Sequence, residues 1–344
     1  KQLFVSDLET GMINRLNSTD GSELSRFDHG ETGRASFTDV TSGETASLPA
    51  VAFDPASSAR INDCPDGAFA NTPTCWNVAD FRRRVWGLGV RRDEASGEVR
   101  LYYSIWGSQG YGNPQWTAAT DDQKNTVWSI ALTQDGDFDA VSVRREFTLP
   151  DFFTRPEDVA AHGASHPVTD IAFPSLGEQK VMVLAERGGL RNLGLNSENA
   201  FAFPHQARAL RYELQQDGTW QPAGRYDVGY YDRRNEGQPF LRANSAGGAS
   251  FGYGYNKSFE TDPAKADQWI WVTGDSLCSP NGMCFDSSAN EHNDVSEVHG
   301  LQGTDQANSS EVLPDAALQP YPDNGYATPA ETPDRSAMID ADVN

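Results

Sequence analysis

An all-β fold is predicted by three features of this sequence. Only 38% of the residues are hydrophobic, while 31 glycines and 19 prolines interrupt the chain often. This composition suits short strands joined by polar loops better than packed helices. Runs of β-branched and aromatic residues are of strand length and are bounded by turn signals. The third feature is a strand–turn–strand unit, with Asp-Gly in its turn, that recurs along the chain.

The recurring hairpins have their turns at Asp20-Gly21, Asp135-Gly136 and Asp217-Gly218. Asp-Gly between alternating segments is a strong hairpin signal, because glycine adopts positive φ without steric cost. Another strand-like segment lies upstream of each hairpin, with a fourth copy later in the chain, and three of these four are preceded by one more. The upstream segments are QLFVSD (2–7), RLYYSI (100–105), KVMVLAE (180–186) and WIWVTGD (269–275), and the preceding ones are VWGLGV (85–90), VTDIAF (168–173) and GASFGYGY (248–255).

The repeating unit is therefore a four-stranded antiparallel meander with a period of about 80 residues. One such sheet cannot bury both of its faces alone, whereas radial repetition packs each sheet against the next. A β-sandwich is the alternative, but it would not repeat its hairpins so regularly in sequence. We predict a single β-propeller domain over 1–344 with four clear modules, and four to six blades fit the sequence. The modules span about 1–30, 85–150, 168–228 and 245–303.

Three segments do not fit the module. Residues 31–84 and 304–335 are rich in Pro, Ser, Thr, Asp and Ala, and we expect long loop excursions or degenerate blades there. The first module lacks its first strand, and residues 336–344 could supply it and close the ring. The alternative is that the chain is cut from a longer propeller. Because it begins at Lys1, inside a strand, we expect a processed chain, an excised domain or part of a larger protein.

The charge balance restricts the partners. The chain has 27 Lys and Arg against 49 Asp and Glu, a net charge of −22. A nucleic-acid partner is not expected, because phosphate contacts need clustered cations. An anionic membrane surface is disfavoured for the same reason, and the chain has no apolar run long enough for membrane insertion. The acidity attracts cations, Ca²⁺ first among them. Much of it lies in turns such as DLETG, RRDEASGE and TDDQ, as expected of a solvated rim.

The four cysteines form two local pairs. Cys64 and Cys75 bracket one segment rich in turn residues, and Cys278 and Cys284 bracket another. Each pair could close a surface loop as a disulfide, which implies an oxidising compartment: extracellular, cell surface or periplasmic. Four free thiols or one split zinc site are the alternatives, although neither pair has the CxxC spacing.

Several segments resemble a known family. LFVSDLETGMINRL, VWGLGV…LYYSIWG and VTDIAF…VMVLAERGG resemble blades of bacterial NHL-type and gluconolactonase-like propellers, and also propeller segments of large secreted surface proteins. The resemblance implies a central channel in which oxygen-bearing side chains at inner strand ends hold a divalent metal such as Ca²⁺. The matching positions are Asp7, Glu186, Asn244 and Asp275, while the second module has Trp106 there. Ordinary turn hydrogen bonds are the alternative role for these residues.

No catalytic motif accompanies this pattern. The sequence has no HExxH, and its one GxSxG match, GASFG at 248–252, lies in a predicted strand with no helix after it, although a nucleophile elbow and a phosphate cradle both need that helix. His–acid clusters occur at 157–166 and 291–299. We therefore expect a secreted or cell-surface, non-catalytic binding or assembly module, stabilised by Ca²⁺, with a metal-dependent lactonase-type hydrolase as the alternative. Aromatic residues in loops suit a protein or carbohydrate partner at a propeller face, or else anchor the loops: Tyr111, Trp116, Phe152, Phe153, Phe201, Phe203, Tyr230 and Tyr231.

Overall fold

The protein is built from four antiparallel-rich sheets that form a four-bladed β-propeller, and the predicted fold class is confirmed. The structure, a computed structural model, describes residues 1–54, 80–107, 124–153, 156, 165–176, 178–188, 206–229, 242–254, 260–277 and 300–307. Among these residues, no helix has the length and apolar character needed to cross a membrane. The chain divides into two compact units, the first mainly from 1–171 and the second mainly from 172–188, 203–215 and 221–344.

The first sheet contains β1 (Gln2–Asp7), β2 (Met12–Asn17) and β3 (Glu23–Asp28), antiparallel and in that order. Its side chains alternate between two faces, as the period of a strand requires. One face packs Phe4, Ile13 and Phe27 into the core of the first unit. The predicted Asp20-Gly21 turn joins β2 to β3, and Gly21 has a φ of 73°.

The second sheet has six strands. The predicted meander consists of β6 (Val85–Arg92), β7 (Val99–Ile105), β8 (Thr126–Ala131) and β9 (Arg144–Thr148). Two short strands extend it beyond β9: β4 (Phe37–Asp39) pairs parallel with β9, and β5 (Glu44–Ala46) pairs antiparallel with β4. Both lie within the 31–84 segment, where their sequences, FTD and ETA, are too short and polar to show a strand alternation.

The third sheet consists of β10 (Val168–Ala172), β11 (Val181–Glu186), β13 (Ala209–Leu214) and β14 (Trp220–Tyr226). The fourth consists of β12 (Gln206–Ala207), β15 (Ala243–Gly252), β16 (Trp269–Gly274) and β17 (Gly300–Asp305). Because β12 pairs parallel with β15 and β13 pairs with β11, the chain passes from the fourth sheet to the third at Arg208.

Each unit has its own apolar core. All six residues of β8 are buried, as expected for a strand in the middle of a sheet that is covered on both faces. Burying one large aliphatic or aromatic side chain contributes about 1.5–3 kcal/mol, so these clusters dominate the stability of each unit. The core of the first unit contains Ile13, Phe27, Phe37, Val85, Leu101, Tyr103, Ile105, Trp128, Ile130 and Val143, and that of the second contains Ala172, Val183, Ala209, Tyr226, Val228, Phe251, Ile270, Val272 and Leu277.

A five-residue turn of the form Asp-x-x-x-Gly joins three pairs of strands. It spans 7–11 between β1 and β2, 39–43 between β4 and β5, and 93–97 between β6 and β7. In each turn the glycine N–H donates to the backbone oxygen of the aspartate, over 2.7, 2.7 and 2.8 Å. The glycine has a φ of 70°, 74° and 75° in these turns, a conformation that other residues rarely adopt. The aspartate carboxylate accepts from the next backbone N–H groups, which makes it an Asx turn.

Candidate functional site

Three of the four predicted metal-binding residues lie at one end of the sheets in the second unit. Glu186 ends β11, Asn244 is the second residue of β15, and Asp275 directly follows β16. The backbone N of Asp275 donates to the backbone O of Asn244 over 2.9 Å. The backbone N of Glu186 donates to Arg208, whose neighbour Ala207 pairs with Asn244. The three residues are therefore neighbours through their backbones.

The Glu186 carboxylate is held by Arg208. Its Oε2 accepts from the backbone N and the Nε of Arg208, over 2.9 and 2.8 Å, and its Oε1 accepts from Nη2 over 2.6 Å. Glu186 has no solvent exposure and Arg208 has 8%. Bidentate charge-assisted pairs of this kind are strong hydrogen bonds. A cation that bound Glu186 would have to compete with this guanidinium.

The backbone is tightly folded around Asn244 and Asp275. Asn244 Nδ2 donates to the backbone O of Val228 over 2.6 Å, and Asp275 Oδ1 accepts from the backbone N of Ser276 over 2.7 Å. Ser276 is buried and has a φ of 58°, which is uncommon for a residue other than glycine. A Cβ at Gly229 would overlap the backbone oxygen of Asp275. Glycine is therefore required at position 229 for this close approach.

Asp7 belongs to the first unit and forms the first residue of an Asp-x-x-x-Gly turn. Its Oδ1 accepts from the backbone N of Glu9 over 2.9 Å, and its Oδ2 accepts from Oγ1 of Thr10 over 2.7 Å. Asp39 and Asp93 make the same backbone contacts in their own turns. These are ordinary turn hydrogen bonds, which the sequence left open for Asp7 as the alternative to metal binding.

A calcium site on Asp7, Glu186, Asn244 and Asp275 stays a prediction. Within the described ranges, no three His, Cys, Asp or Glu side chains are grouped so that they could hold a metal ion. Arg208 is the main participant that sequence reasoning missed. It follows Glu186 by 22 positions, and no motif links the two.

The second face of the first sheet is open to solvent. We call this surface the open face; Leu3 and Val5, two of its residues, are 54% and 43% exposed. An Arg26–Glu23 ion pair of 2.8 Å lies at its margin. A shallow depression of about 420 Å³ runs along this face. The open face consists of Leu3, Val5, Met12, Asn14, Leu16, Glu23 and Arg26.

The tip of the first sheet is fastened to the Asp135-Gly136 turn of the second sheet. Arg15 Nη2 donates to the backbone O of Asp135 over 2.5 Å, and Gln2 Nε2 donates to the backbone O of Gly136 over 3.2 Å. A Cβ at position 136 would overlap the Gln2 side chain. The turn that the sequence predicts as a hairpin therefore also holds the first sheet against the second.

The described loop aromatics are anchors. Phe153 is 3% exposed, and its ring lies 4.9 Å from that of Phe152 and 6.0 Å from that of His166, centroid to centroid. The other singled-out groups lie outside the described residues: Tyr111, Trp116, Phe201, Phe203, Tyr230 and Tyr231, the remaining members of both His–acid clusters, the segment 336–344, and Cys64, Cys75, Cys278 and Cys284.

Comparisons with models of known protein families and with the sequences of curated proteins found no match for this chain.

Proposed function

We propose that this protein is a non-catalytic binding module of propeller architecture, and that the open face of the first sheet contacts a protein partner. The observation that carries the proposal is the exposure of Leu3 and Val5 on one face of β1. The solvent face of an antiparallel sheet is ordinarily polar. An apolar strip bordered by polar side chains is typical of a protein interaction surface.

The chemistry of the open face favours a protein over a carbohydrate. Its apolar members are aliphatic, and none of the residues that line its depression is aromatic. Such a surface offers a sugar no ring on which to stack, whereas it can pack against apolar side chains. The Arg26–Glu23 pair at its margin supplies polar contacts of the kind found at an interface rim.

The resemblance to gluconolactonase-like propellers offers the competing proposal, a metal-dependent lactonase. That activity would use the carboxylates matched above. Both oxygens of Glu186 accept hydrogen bonds from Arg208, and both oxygens of Asp7 accept hydrogen bonds within its turn. These contacts support a structural role for the two acids and therefore favour the binding module.

A photo-crosslinking residue at Val5 tests the proposed surface. In extracts of the producing cells and their medium, we expect one cross-linked polypeptide of defined mass. Excess unlabelled protein should compete for it, and an excess of the L3S/V5S variant should not. The matched control is the same residue at Leu176, which is exposed but lies in a turn of the second unit. Equal cross-linking at both positions would contradict the proposal, and competition by soluble glycans alone would replace protein with carbohydrate.

An oxidising location and a calcium requirement belong to the same proposal. Without reductant, we expect the unfolded protein to show no free thiol, because the two cysteine pairs would be disulfides. A titre of four thiols would refute the pairing and with it the argument for an extracellular or periplasmic location. Chelation of calcium should lower the melting temperature, since a bound ion stabilises only the folded state. An unchanged melting temperature would remove calcium from the proposal.

A further inference from the structure

A small pocket in the first unit, separate from the open face, is lined by several basic side chains, and we call it the basic pocket. Its lining includes one lysine, three arginines and a buried histidine, and no carboxylate. This is unusual for a chain with 49 acidic residues against 27 basic ones. The lining consists of His29, Arg34, Leu48, Arg82, Ile105, Lys124, Thr126, Trp128 and Arg145.

The three arginine side chains of the pocket are held by hydrogen-bond acceptors that are not part of its lining. Arg82 donates to both oxygens of Asp80, each over 2.9 Å, and Arg145 donates to Asp39. These two acids are not part of the lining, so they fix the guanidinium groups without entering the pocket. Arg34, only 2% exposed, is positioned by a 2.8 Å hydrogen bond from its Nε to a backbone oxygen. The positive charges are therefore fixed before any ligand binds.

Two donors of the pocket have unused capacity. Thr126 Oγ1 accepts a 2.8 Å hydrogen bond from Nε1 of Trp128, and the residue is 6% exposed. Among the described residues, the proton of this hydroxyl has no acceptor. The Lys124 ammonium makes one ion pair, at 4.0 Å to Asp151, which is longer than a hydrogen bond. A buried hydroxyl without an acceptor is a costly arrangement unless a ligand or water accepts from it.

His29 reports the electrostatic field of this region. Its Nδ1 lies 3.1 Å from the Tyr103 hydroxyl, and it is 1% exposed. Burial and the positive charges of Arg34 and Arg83 lower the pKa of His29 to about 3. The imidazole is therefore neutral near pH 7. Burial, the larger cause, disfavours ions of either sign, whereas the positive charges of Arg34 and Arg83 would favour an anion.

The size of the pocket restricts the anion. The free volume is about 10 Å³, which is room for about one water molecule. We propose that the basic pocket binds a monatomic halide, chloride in an ordinary medium, which accepts hydrogen bonds from the Thr126 hydroxyl and the Lys124 ammonium. Arg34, Arg82 and Arg145 supply the surrounding positive charge. This inference is independent of the proposed function of the open face.

Thermal unfolding at constant ionic strength tests the proposal, with gluconate replaced stepwise by chloride. We expect a saturable rise in the melting temperature of the unmodified protein. The chloride concentration at half-effect should increase at least tenfold in K124Q and in T126V, which removes the hydroxyl while nearly conserving volume. The matched controls are K180Q and T45V, at exposed sites outside the pocket, and these should respond like the unmodified protein.

Crystals soaked in bromide give a second measurement. Anomalous scattering should place one bromide between Thr126 and Lys124, and T126V crystals should lack it. Equal half-effect concentrations in T126V and T45V would overturn the proposal. A response that does not saturate, or that gluconate reproduces, would overturn it as well, because it would show a general salt effect.

Discussion

Arg208 wraps the carboxylate of Glu186 with three hydrogen bonds, from its backbone N, its Nε and its Nη2. Arg208 is also the residue at which the chain leaves β12 in the fourth sheet and enters β13 in the third. The ion pair therefore fixes the point where the chain changes sheets. Glu186, for which the family resemblance implies a metal-binding role, thus also helps to fix the crossing of the chain between the two sheets.

Removing one member of this pair should destabilise the protein strongly. We expect E186Q and R208M each to lower the free energy of unfolding by about 3–5 kcal/mol, because each leaves a buried partner uncompensated. The double variant E186Q/R208M should lose clearly less than the sum of the two, as in any coupled pair. Urea denaturation of the four proteins measures the cycle. Additive losses would show that the two side chains are not coupled.

Two glycines in the same type of turn should differ in their tolerance to alanine. Gly97 has a φ of 75° and open space where a Cβ would lie, so G97A should cost about 1–2 kcal/mol of conformational strain. Gly11 has a φ of 70°, but its Cβ would overlap the backbone oxygen of Arg83. G11A should therefore cost roughly 1–3 kcal/mol more, as overpacking does. Equal losses in chemical denaturation would contradict this explanation.

His29 should contribute a pH dependence to stability. Its pKa is about 3 in the folded protein and about 6.5 in an unfolded chain. Between these values the unfolded state binds a proton that the folded state does not, so the free energy of unfolding falls as the pH falls. The slope is at most about 1.4 kcal/mol per pH unit. Burial is the first cause of this shift, and the positive charges of Arg34 and Arg83 add to it.

The H29Q variant isolates that contribution. Urea unfolding at unit intervals from about pH 7.5 to 4 should show the advantage of the unmodified protein over H29Q shrinking toward low pH. Acidic residues titrate in the same window, but they do so in both proteins and cancel in the difference. A constant difference between the two proteins would show that the pKa of His29 is the same in the folded and unfolded states.

Two apolar side chains on opposite faces of the first sheet should respond differently to truncation. Ile13 has no solvent exposure and belongs to the core, whereas Val5 is 43% exposed on the open face. I13A should cost about 2–5 kcal/mol, and V5A should change stability by less than about 0.5 kcal/mol. Thermal denaturation compares them. A large loss in V5A would indicate that the open face is part of the core and not a free surface.

The strands and hairpins could be predicted because their signals are local. Each Asp-Gly turn places its glycine at positive φ, with values of 73°, 77° and 85° at Gly21, Gly136 and Gly218. Segments rich in β-branched and aromatic residues, such as 126–131, became buried strands. Short polar strands such as β4 and β5 carry no such pattern. They form because the edge of β9 supplies hydrogen-bonding partners to β4, which in turn pairs with β5.

The site residues were harder to predict because side-chain partners are not local. The sequence places Glu186 at a strand end, but only the crossing of the chain between sheets brings Arg208 to it. The role of Asp7 was accessible, since the Asp-x-x-x-Gly spacing recurs at Asp39 and Asp93. The basic pocket was not, because its four cations come from four separate segments of the chain.

The passage through Arg208 has a mechanical consequence. Gln206 and Ala207 pair with a strand of the fourth sheet, and Ala209 pairs with a strand of the third. The two sheets are therefore connected by continuous backbone. Separating the third sheet from the fourth would therefore break hydrogen bonds within one of them. Amide protons of β11 and β15 should therefore exchange with solvent through one shared opening event, at one common free energy. Under mechanical force, the third and fourth sheets should unfold together in one cooperative step.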